Sequence, residues 1–379
     1  FNNCWSNFKF NKKGRLKILK MKKRIIFSTG GTGGHIFPAI HLMNHFSEKG
    51  YEVLLVTDHR GEKFINNNSK FRSYKIKTAT TKNKNIIGKI FSLFLIFLSI
   101  FKSIKIIKEE KPDLIFGVGG YVSFPISFAS RLFGLPLVIY ESNIILGKAN
   151  KILLPFSKKI FLSMLISKNF PEKYNDKTYI VGAVLDKKII NYKPQKKING
   201  RESFSILVLG GSQGAEIFGK IIPPVINKLK VKNFNVEVMQ QCTKNQKIEI
   251  KKFYEKNNIK NYVFEFDKNI LKFILSSSLA ITRCGASTTA ELVHTFTPFI
   301  AVPLPNSIDN HQYLNAKYYE TRGCCWLLEQ NNFNIKNLYD LIIEAITNKE
   351  KMKNIRLNME KNYTKDVYSN IENQIKEFI

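Results

Sequence analysis

The chain has few cysteines, few acidic residues, and no uncharged apolar run long enough to cross a bilayer. Its five cysteines, Cys4, Cys242, Cys284, Cys324 and Cys325, are odd in number and include no Cys-x-x-Cys spacing. Neither a disulfide framework nor a zinc site follows from them, and a reducing compartment is the simplest reading. Asp and Glu total 29 against 60 Lys and Arg, a formal charge of +31. An excess of that size attracts polyanions, either nucleic acid or an anionic membrane face. Lys, Asn and Ile are common everywhere, loops included, so the charge reads as compositional drift as much as a patch. A nucleic-acid-binding protein would cluster Arg and Lys with interleaved aromatics. Here the lysines are dispersed, and no nucleic-acid partner is expected. The most apolar stretch, residues 86–107, is free of charge only over residues 90–101. As a helix those residues cover ~18 Å, short of a ~30 Å hydrocarbon layer. A transmembrane span is therefore not expected. The flanking Lys89, Lys102, Lys105 and Lys108 favour contact with an anionic surface, with burial in the core as the alternative.

What is present is enough for two ordinary cores. The chain has 379 residues, 44% of them apolar, with 30 Phe and 15 Tyr. It begins at Phe1, and Met21 opens a strong strand pattern, so residues 1–20 are expected to be an upstream extension. No apolar core of a signal peptide is found there. Two stretches then repeat one theme of apolar strand, glycine-rich turn and helix. In the first, residues 24–28 lead into Gly30-Gly31-Thr32-Gly33-Gly34-His35 and a helix from about Pro38 to Gly50. In the second, residues 205–209 lead into Gly210-Gly211-Ser212-Gln213-Gly214-Ala215 and a helix running toward Lys230. Further strands are expected at 53–57, 114–118, 137–140, 179–181, 236–239, 262–266, 279–282 and 299–302. Alternating strands and helices argue parallel sheets, hence an α/β fold of two doubly wound domains facing each other across a cleft. The expected division is 21–185, a polar linker at 186–203, 204–350, and one C-terminal helix over 351–379 that docks on a surface of the first domain.

The glycine turns are the candidate site. Glycine lets backbone approach a ligand, and the helix that follows offers free N–H groups and a positive dipole end, so phosphate is the natural guest. A dinucleotide fingerprint fails because its third glycine position is Ile36, and no Gly-Lys-Ser/Thr makes a P-loop. A dehydrogenase is thereby disfavoured. His35, at the helix mouth, is either a general base or a helix-start hydrogen-bonding residue. His41 and His45 have metal spacing, but Leu42 stands where a zincin needs Glu, so packing is the expected role. Gly119-Gly120-Tyr121 is a second turn after a strand. Tyr140-Glu141-Ser142-Asn143 puts a carboxylate and an amide at a strand end. Gly285 to Glu291 (Ala286, Ser287, Thr288, Thr289, Ala290 between them) is either a diphosphate site with Glu291 on sugar hydroxyls or an ordinary capped helix. Asp309-Asn310-His311-Gln312 is a further polar cluster. No Asp-x-Asp metal motif is evident, Glu265-Phe266-Asp267 being the nearest, so neither metal nor cofactor is expected.

Together these motifs resemble the MurG family of bacterial N-acetylglucosaminyltransferases, within glycosyltransferase family 28, over residues 22 to about 350. The glycine loops at 30–35, 119–123 and 210–215, the segment 285–291 and the segment 309–312 match in order and spacing. The resemblance implies the GT-B fold and transfer of GlcNAc from UDP-GlcNAc to the 4-hydroxyl of MurNAc in undecaprenyl-diphospho-MurNAc-pentapeptide (lipid I), inverting to a β-1,4 linkage. It implies that Gly31, Gly33, Gly34, Gly119, Gly120 and Tyr121 meet the acceptor diphosphate. Donor contacts are implied for Thr32, Gly33, Gly34, Asn143, Ser212, residues 286–291 and Gln312. His35 is the first choice for the base, Glu141 the second. A membrane patch at Ile86, Ile87, Phe91, Phe94, Phe97 and Phe101 implies a peripheral enzyme on the cytoplasmic face of the inner membrane, with other cell-wall synthesis proteins as further partners. Two segments depart from the family pattern. His-Glu-Gln-Asn reads Tyr140-Glu141-Ser142-Asn143, and a donor-site Arg is replaced by Asp186, where Lys187 or Lys188 lacks Arg's fork. A related GT-B transferase acting on another polyprenol acceptor is the rival reading.

Overall fold

The computed structural model describes residues 8–10, 16–18, 22–31, 33–62, 64, 71–77, 85–166, 170–192, 203–211, 215–267 and 269–379, the side chains of residues 8–10 and 16–18 and those of Ile87 and Lys89 excepted. Its strands are β1 (Phe8–Phe10), β2 (Leu16–Ile18), β3 (Arg24–Ser28), β4 (Glu52–Thr57), β5 (Arg72–Lys75), β6 (Leu114–Gly117), β7 (Leu137–Glu141), β8 (Lys159–Leu162), β9 (Thr178–Ile180), β10 (Phe204–Leu209), β11 (Val236–Gln241), β12 (Lys260–Phe264), β13 (Leu279–Thr282), β14 (Phe299–Ala301) and β15 (Trp326–Leu327). Its helices are α1 (Gly33–Glu48), α2 (His59–Glu62), α3 (Ile86–Glu110), α4 (Ser123–Leu132), α5 (Lys148–Leu153), α6 (Lys187–Ile190), α7 (Glu216–Val231), α8 (Lys247–Lys256), α9 (Ile270–Ser276), α10 (Ala286–His294), α11 (His311–Glu320), α12 (Ile335–Thr347), α13 (Lys349–Asn362) and α14 (Val367–Ile375).

Two parallel sheets follow, ordered β5-β4-β3-β6-β7-β8-β9 and β12-β11-β10-β13-β14-β15. In both, the order reverses beside the first strand, between β3 and β6 and between β10 and β13. Crevices for ligands open at such switch points, beyond the carboxyl ends of the strands. Each glycine turn of the sequence leaves a strand at one of these two points.

The strands read as apolar runs because both of their faces are covered. Ile25 and Phe27 face α1 and α14, packing with Leu42, Phe46, Phe116, Ile371 and Ile375. Ile26 faces the other way, toward Ile106 and Ile107 of α3 and Ile126 of α4. The second sheet shares one core with α7, α10, α12 and α13.

Three expectations are corrected. The helix holding the apolar stretch runs 25 residues, α3, well past the uncharged segment. By length and composition, residues 90–110 suffice to cross a membrane. However, Ser92, Ser99, Ser103, Ile106 and Ile107 are buried, so one face of α3 is docked on the protein. The C-terminal segment is two helices, not one. Met352, Ile355 and Met359 of α13 belong to the second core, and only α14 crosses back to the first. Tyr363, extended at the C-cap of α13, ends that helix, and Thr364 lies against Gly182, whose φ is +96°. The strand expected at 262–266 begins and ends two residues earlier. Within residues 1–20, expected as an upstream extension, residues 8–10 and 16–18 form the antiparallel pair β1 and β2, which does not bear on that expectation.

Candidate active site

The first two glycine turns interlock. Gly31, Gly119 and Gly120 have φ of +90°, +88° and +83°. A Cβ on Gly120 would lie 2.6 Å from the Gly30 carbonyl oxygen, and one on Gly30 would lie 2.4 Å from Val122 Cγ2. No side chain larger than hydrogen fits between the loops. Asp58, at the end of β4, accepts from the Gly31 N–H (3.3 Å), the Gly61 N–H (2.8 Å) and Arg60 Nε (3.1 Å). Burial pushes its carboxyl up, but these bonds bring it below the ordinary carboxylate range. Sequence reasoning passed over Asp58. Its position at the end of the second strand of a βαβ unit was the available signal. Gly33 and Gly34 open α1, so their N–H groups lack intrahelical acceptors. Thr32 lies outside the described residues. Tyr121 is half-buried beside the second loop.

His35 lies against this double loop. A Cβ on Gly119 would meet its Nδ1 at 2.8 Å. Burial lowers the imidazole pKa below 6.5, partly opposed by the charge of Glu141, while His311 of the second domain lowers it further. His35 is therefore neutral at pH 7, the state a base requires. Glu141 is otherwise engaged. One carboxylate oxygen accepts from the Asn143 N–H (3.1 Å) and Asn143 Nδ2 (3.2 Å), the other from the Gly147 N–H (2.8 Å) and Asn150 Nδ2 (3.0 Å). Four donors hold a side chain that is 2% exposed. That geometry suits a residue that shapes the 141–150 loop and places negative charge near His35, rather than one that takes a proton itself.

The loop so shaped reaches the other half. Asn315 of α11, fully buried, accepts from the Ile144 N–H (3.1 Å) and donates from Nδ2 to Asn143 Oδ1 (3.2 Å) and to the Cys284 carbonyl (3.2 Å). It ties the two domains at the cleft floor, and nothing in the local sequence marked it. Gln312, one helical turn earlier, accepts at Oε1 from the Cys284 N–H (3.1 Å) and the Leu304 N–H (3.0 Å).

On the second domain, Gly285 is the extended N-cap of α10, with no side-chain cap and open space around it. The N–H groups of Ala286, Ser287 and Thr288 are the unpaired first-turn donors, at the positive end of the helix dipole. Thr289 and Ala290 are buried. Thr289 Oγ1 donates back to the Gly285 carbonyl (3.1 Å), so both of these residues serve the helix. Glu291 lies beyond them, half-buried. Burial, then the charge of Asp186, raises its pKa to about 7. Gly211 has φ of +80°. Ser212 lies outside the described residues. Arg283, stacked over Phe218 at 4.9 Å, donates to the carbonyls of Val302 and Pro303 (both 3.1 Å) and to Gln330 Oε1 (2.6 Å), fixing the neighbouring loops. A cavity between the halves is lined by Pro38, Tyr140 and Ser142 on one side and Ala286 and Ser287 on the other.

The departing residues have definite places. Tyr140 Oη donates to the Gly182 carbonyl (3.3 Å) and accepts from the Val184 N–H (3.0 Å), bolting β7 to the crossover. Asp186 caps α6 through the Lys188 N–H (2.7 Å). Lys187 pairs with Glu48 of α1 and is not free to replace the missing Arg; Lys188 is exposed. His45 is a packing residue, stacked on Tyr368 at 4.7 Å and 3.4 Å from Glu372. Among the described residues, no group of three or more His, Cys, Asp or Glu is placed to hold a metal ion.

Of the patch on α3, Ile86, Phe91, Phe94, Phe97 and Phe101 are each more than half exposed, and Ile90, Leu93 and Leu98 extend the same stripe. The side chain of Ile87 lies outside the described residues.

Two doubly wound domains with facing switch points, each carrying glycine turns at the strand ends, make the GT-B fold. The family model of the glycosyltransferase family 28 N-terminal domain matches residues 25–162, and that of its C-terminal domain matches residues 205–373. The chain belongs to glycosyltransferase family 28. It is 36% identical over 356 residues to the UDP-N-acetylglucosamine--N-acetylmuramyl-(pentapeptide) pyrophosphoryl-undecaprenol N-acetylglucosamine transferase of Pelagibacter ubique, covering 94% of this chain and 98% of that one. It is 35% identical over 361 residues to the enzyme of the same name from Rickettsia bellii, covering 94% and 100%. The crystal structure of MurG from Acinetobacter baumannii shares the fold, with a TM-score of 0.76 at 22% identity over 94% of this chain and 99% of that one.

Proposed function

We propose that this protein transfers GlcNAc from UDP-GlcNAc to the MurNAc 4-hydroxyl of undecaprenyl-diphospho-MurNAc-pentapeptide, with inversion to a β-1,4 linkage, in peptidoglycan synthesis. The observation that carries the reading is the position of His35, a buried imidazole set against the interlocked glycine turns and within range of the charge of Glu141. The names and identities of the relatives supply the substrates. In this reading the acceptor diphosphate lies on the N–H groups of the 30–34 and 119–120 loops, and His35 takes the proton from the attacking hydroxyl. UDP lies across the N-terminus of α10, whose dipole meets the negative charge that develops on the leaving diphosphate. Asn143, Gln312 and Glu291 contact the donor, with Glu291 on the ribose hydroxyls. The enzyme works as a peripheral protein on the cytoplasmic membrane face, its α3 stripe against lipid.

The test is direct. The protein is given labelled UDP-GlcNAc and a short-chain lipid I analogue, beside His35→Ala. Acceptor-dependent GlcNAc–MurNAc disaccharide is expected, with His35→Ala slower by roughly 10²–10⁴-fold. Donor binding without transfer would replace lipid I by another acceptor; no donor binding would leave only the fold and family.

A further inference from the structure

A second cavity, of about 240 Å³, lies on the second domain at the carboxyl ends of β14 and β15. Its floor is the turn Pro303–Pro305. Asn310 and Tyr313 from the start of α11 form one wall, and Glu329, Gln330 and Asn331 form the other. Two side chains fix the loops around this cavity. Arg283 pins Pro303 and Gln330, and Gln312 pins Leu304. His311, which lies between Asn310 and Tyr313 in the chain, is near enough to His35 for its charge to act on that imidazole. Its walls combine side-chain amides, which pair with peptide N–H and C=O groups, proline and tyrosine surfaces for an aliphatic stem, and one carboxylate, Glu329. In the reading above UDP lies across α10 and the proton goes to His35, which leaves these cavity groups without a role in either.

The proposed acceptor carries a peptide on the muramyl oxygen next to the hydroxyl that attacks. In the proposed reading that carbon sits beside His35, and the segment 310–313 carries both His311, whose charge acts on His35, and the cavity residues Asn310 and Tyr313. Resting on the functional reading above, we infer that the cavity receives the acceptor's peptide stem, with Glu329 accepting from a side-chain ammonium. The cavity is thus a specificity site for the part of the acceptor that does not react.

The test compares three short-chain lipid I analogues with the full-length protein. One carries a peptide with a free lysine ammonium, the second the same peptide with that amine acetylated, the third no peptide. The wild type is expected to prefer the first by roughly tenfold in kcat/KM, the worth of one charge-assisted hydrogen bond. Glu329→Gln should abolish the preference between the first two, and Tyr313→Ala should reduce that between the second and third. The KM for UDP-GlcNAc should stay unchanged in both. Equal rates on all three analogues with the wild type would overturn the inference while leaving the functional reading intact. So would a variant that raises the KM for UDP-GlcNAc with acceptor preference unmoved, which would assign the cavity to the donor. Failure of the wild type to transfer to any analogue would remove the functional reading and this inference with it.

Discussion

At the residue scale, two side chains carry abnormal acidity in opposite directions, and each has a consequence. His35 is depressed because burial disfavours imidazolium, so the acid limb of the pH–rate profile should fall below 6.5. Glu291 is raised to about 7 by burial and by Asp186. Its proton is therefore held more tightly folded than unfolded. Ionisation costs the fold nothing below its unfolded pKa near 4.5, and stability falls as pH rises from there through about 7. Glu291→Gln removes that cost. At pH 8 the variant should be more stable by roughly 2 kcal/mol, a figure discounted for partial exposure, and at pH 4.5 no more stable than the wild type. Thermal unfolding at the two pH values measures this, and UDP-GlcNAc affinity should weaken in the same variant. A carboxylate retained at a cost to stability is the mark of a group kept for its ligand. An unchanged difference between the two pH values would show that Glu291 keeps an ordinary acidity.

At the element scale, the interlocked turns form one rigid part from two distant pieces of chain. Gly120→Ala places a methyl 2.6 Å from the Gly30 carbonyl at φ +83°, so the loops must separate. A loss of about 1–3 kcal/mol is expected in thermal unfolding. Transfer should fall sharply while UDP-GlcNAc binding, which in the proposed reading rests mainly on the second domain, declines much less. Equal loss of both would mean that the turns do not act as a separate acceptor platform. The turns were legible in the sequence because glycine is needed locally, at each close approach. The central strands were legible for a similar reason, since residues such as 24–28 and 279–282 are apolar on both faces. The edge strand β5, Arg-Ser-Tyr-Lys, was not, because an edge exposes its side chains and leaves no apolar run. Asn315 was hidden differently. Its three partners lie in a loop 171 and 172 residues away in sequence and at Cys284, and no local pattern reports such a tie. Glu141 was legible as important, but its role depends on donors up to nine residues downstream.

At the scale of the whole molecule, charge and apolar surface coincide in one element. The exposed stripe of α3, from Ile86 to Phe101, continues into the exposed Lys102, Lys105 and Lys108, and the chain as a whole carries +31. The helix packs against α4 with its serine face buried, so lipid contact on the exposed stripe need not unpack it. Two forces then act on a membrane, with different responses to salt. Coulomb attraction of dispersed lysines is screened over about 10 Å at 0.1 M salt, whereas burial of Phe side chains in the interface is not. Phe94→Glu/Phe97→Glu should therefore lower affinity for phosphatidylglycerol vesicles by at least about tenfold at 0.5 M salt, with a smaller loss at 0.05 M salt, where the lysines still hold the protein. Both side chains are more than half exposed, so folding and UDP-GlcNAc binding should be unchanged. Transfer to a vesicle-borne acceptor should fall with vesicle binding, while transfer to a soluble short-chain acceptor stays. If vesicle binding disappears with salt alone and ignores the two phenylalanines, the lysines alone account for it, and the stripe meets something other than lipid.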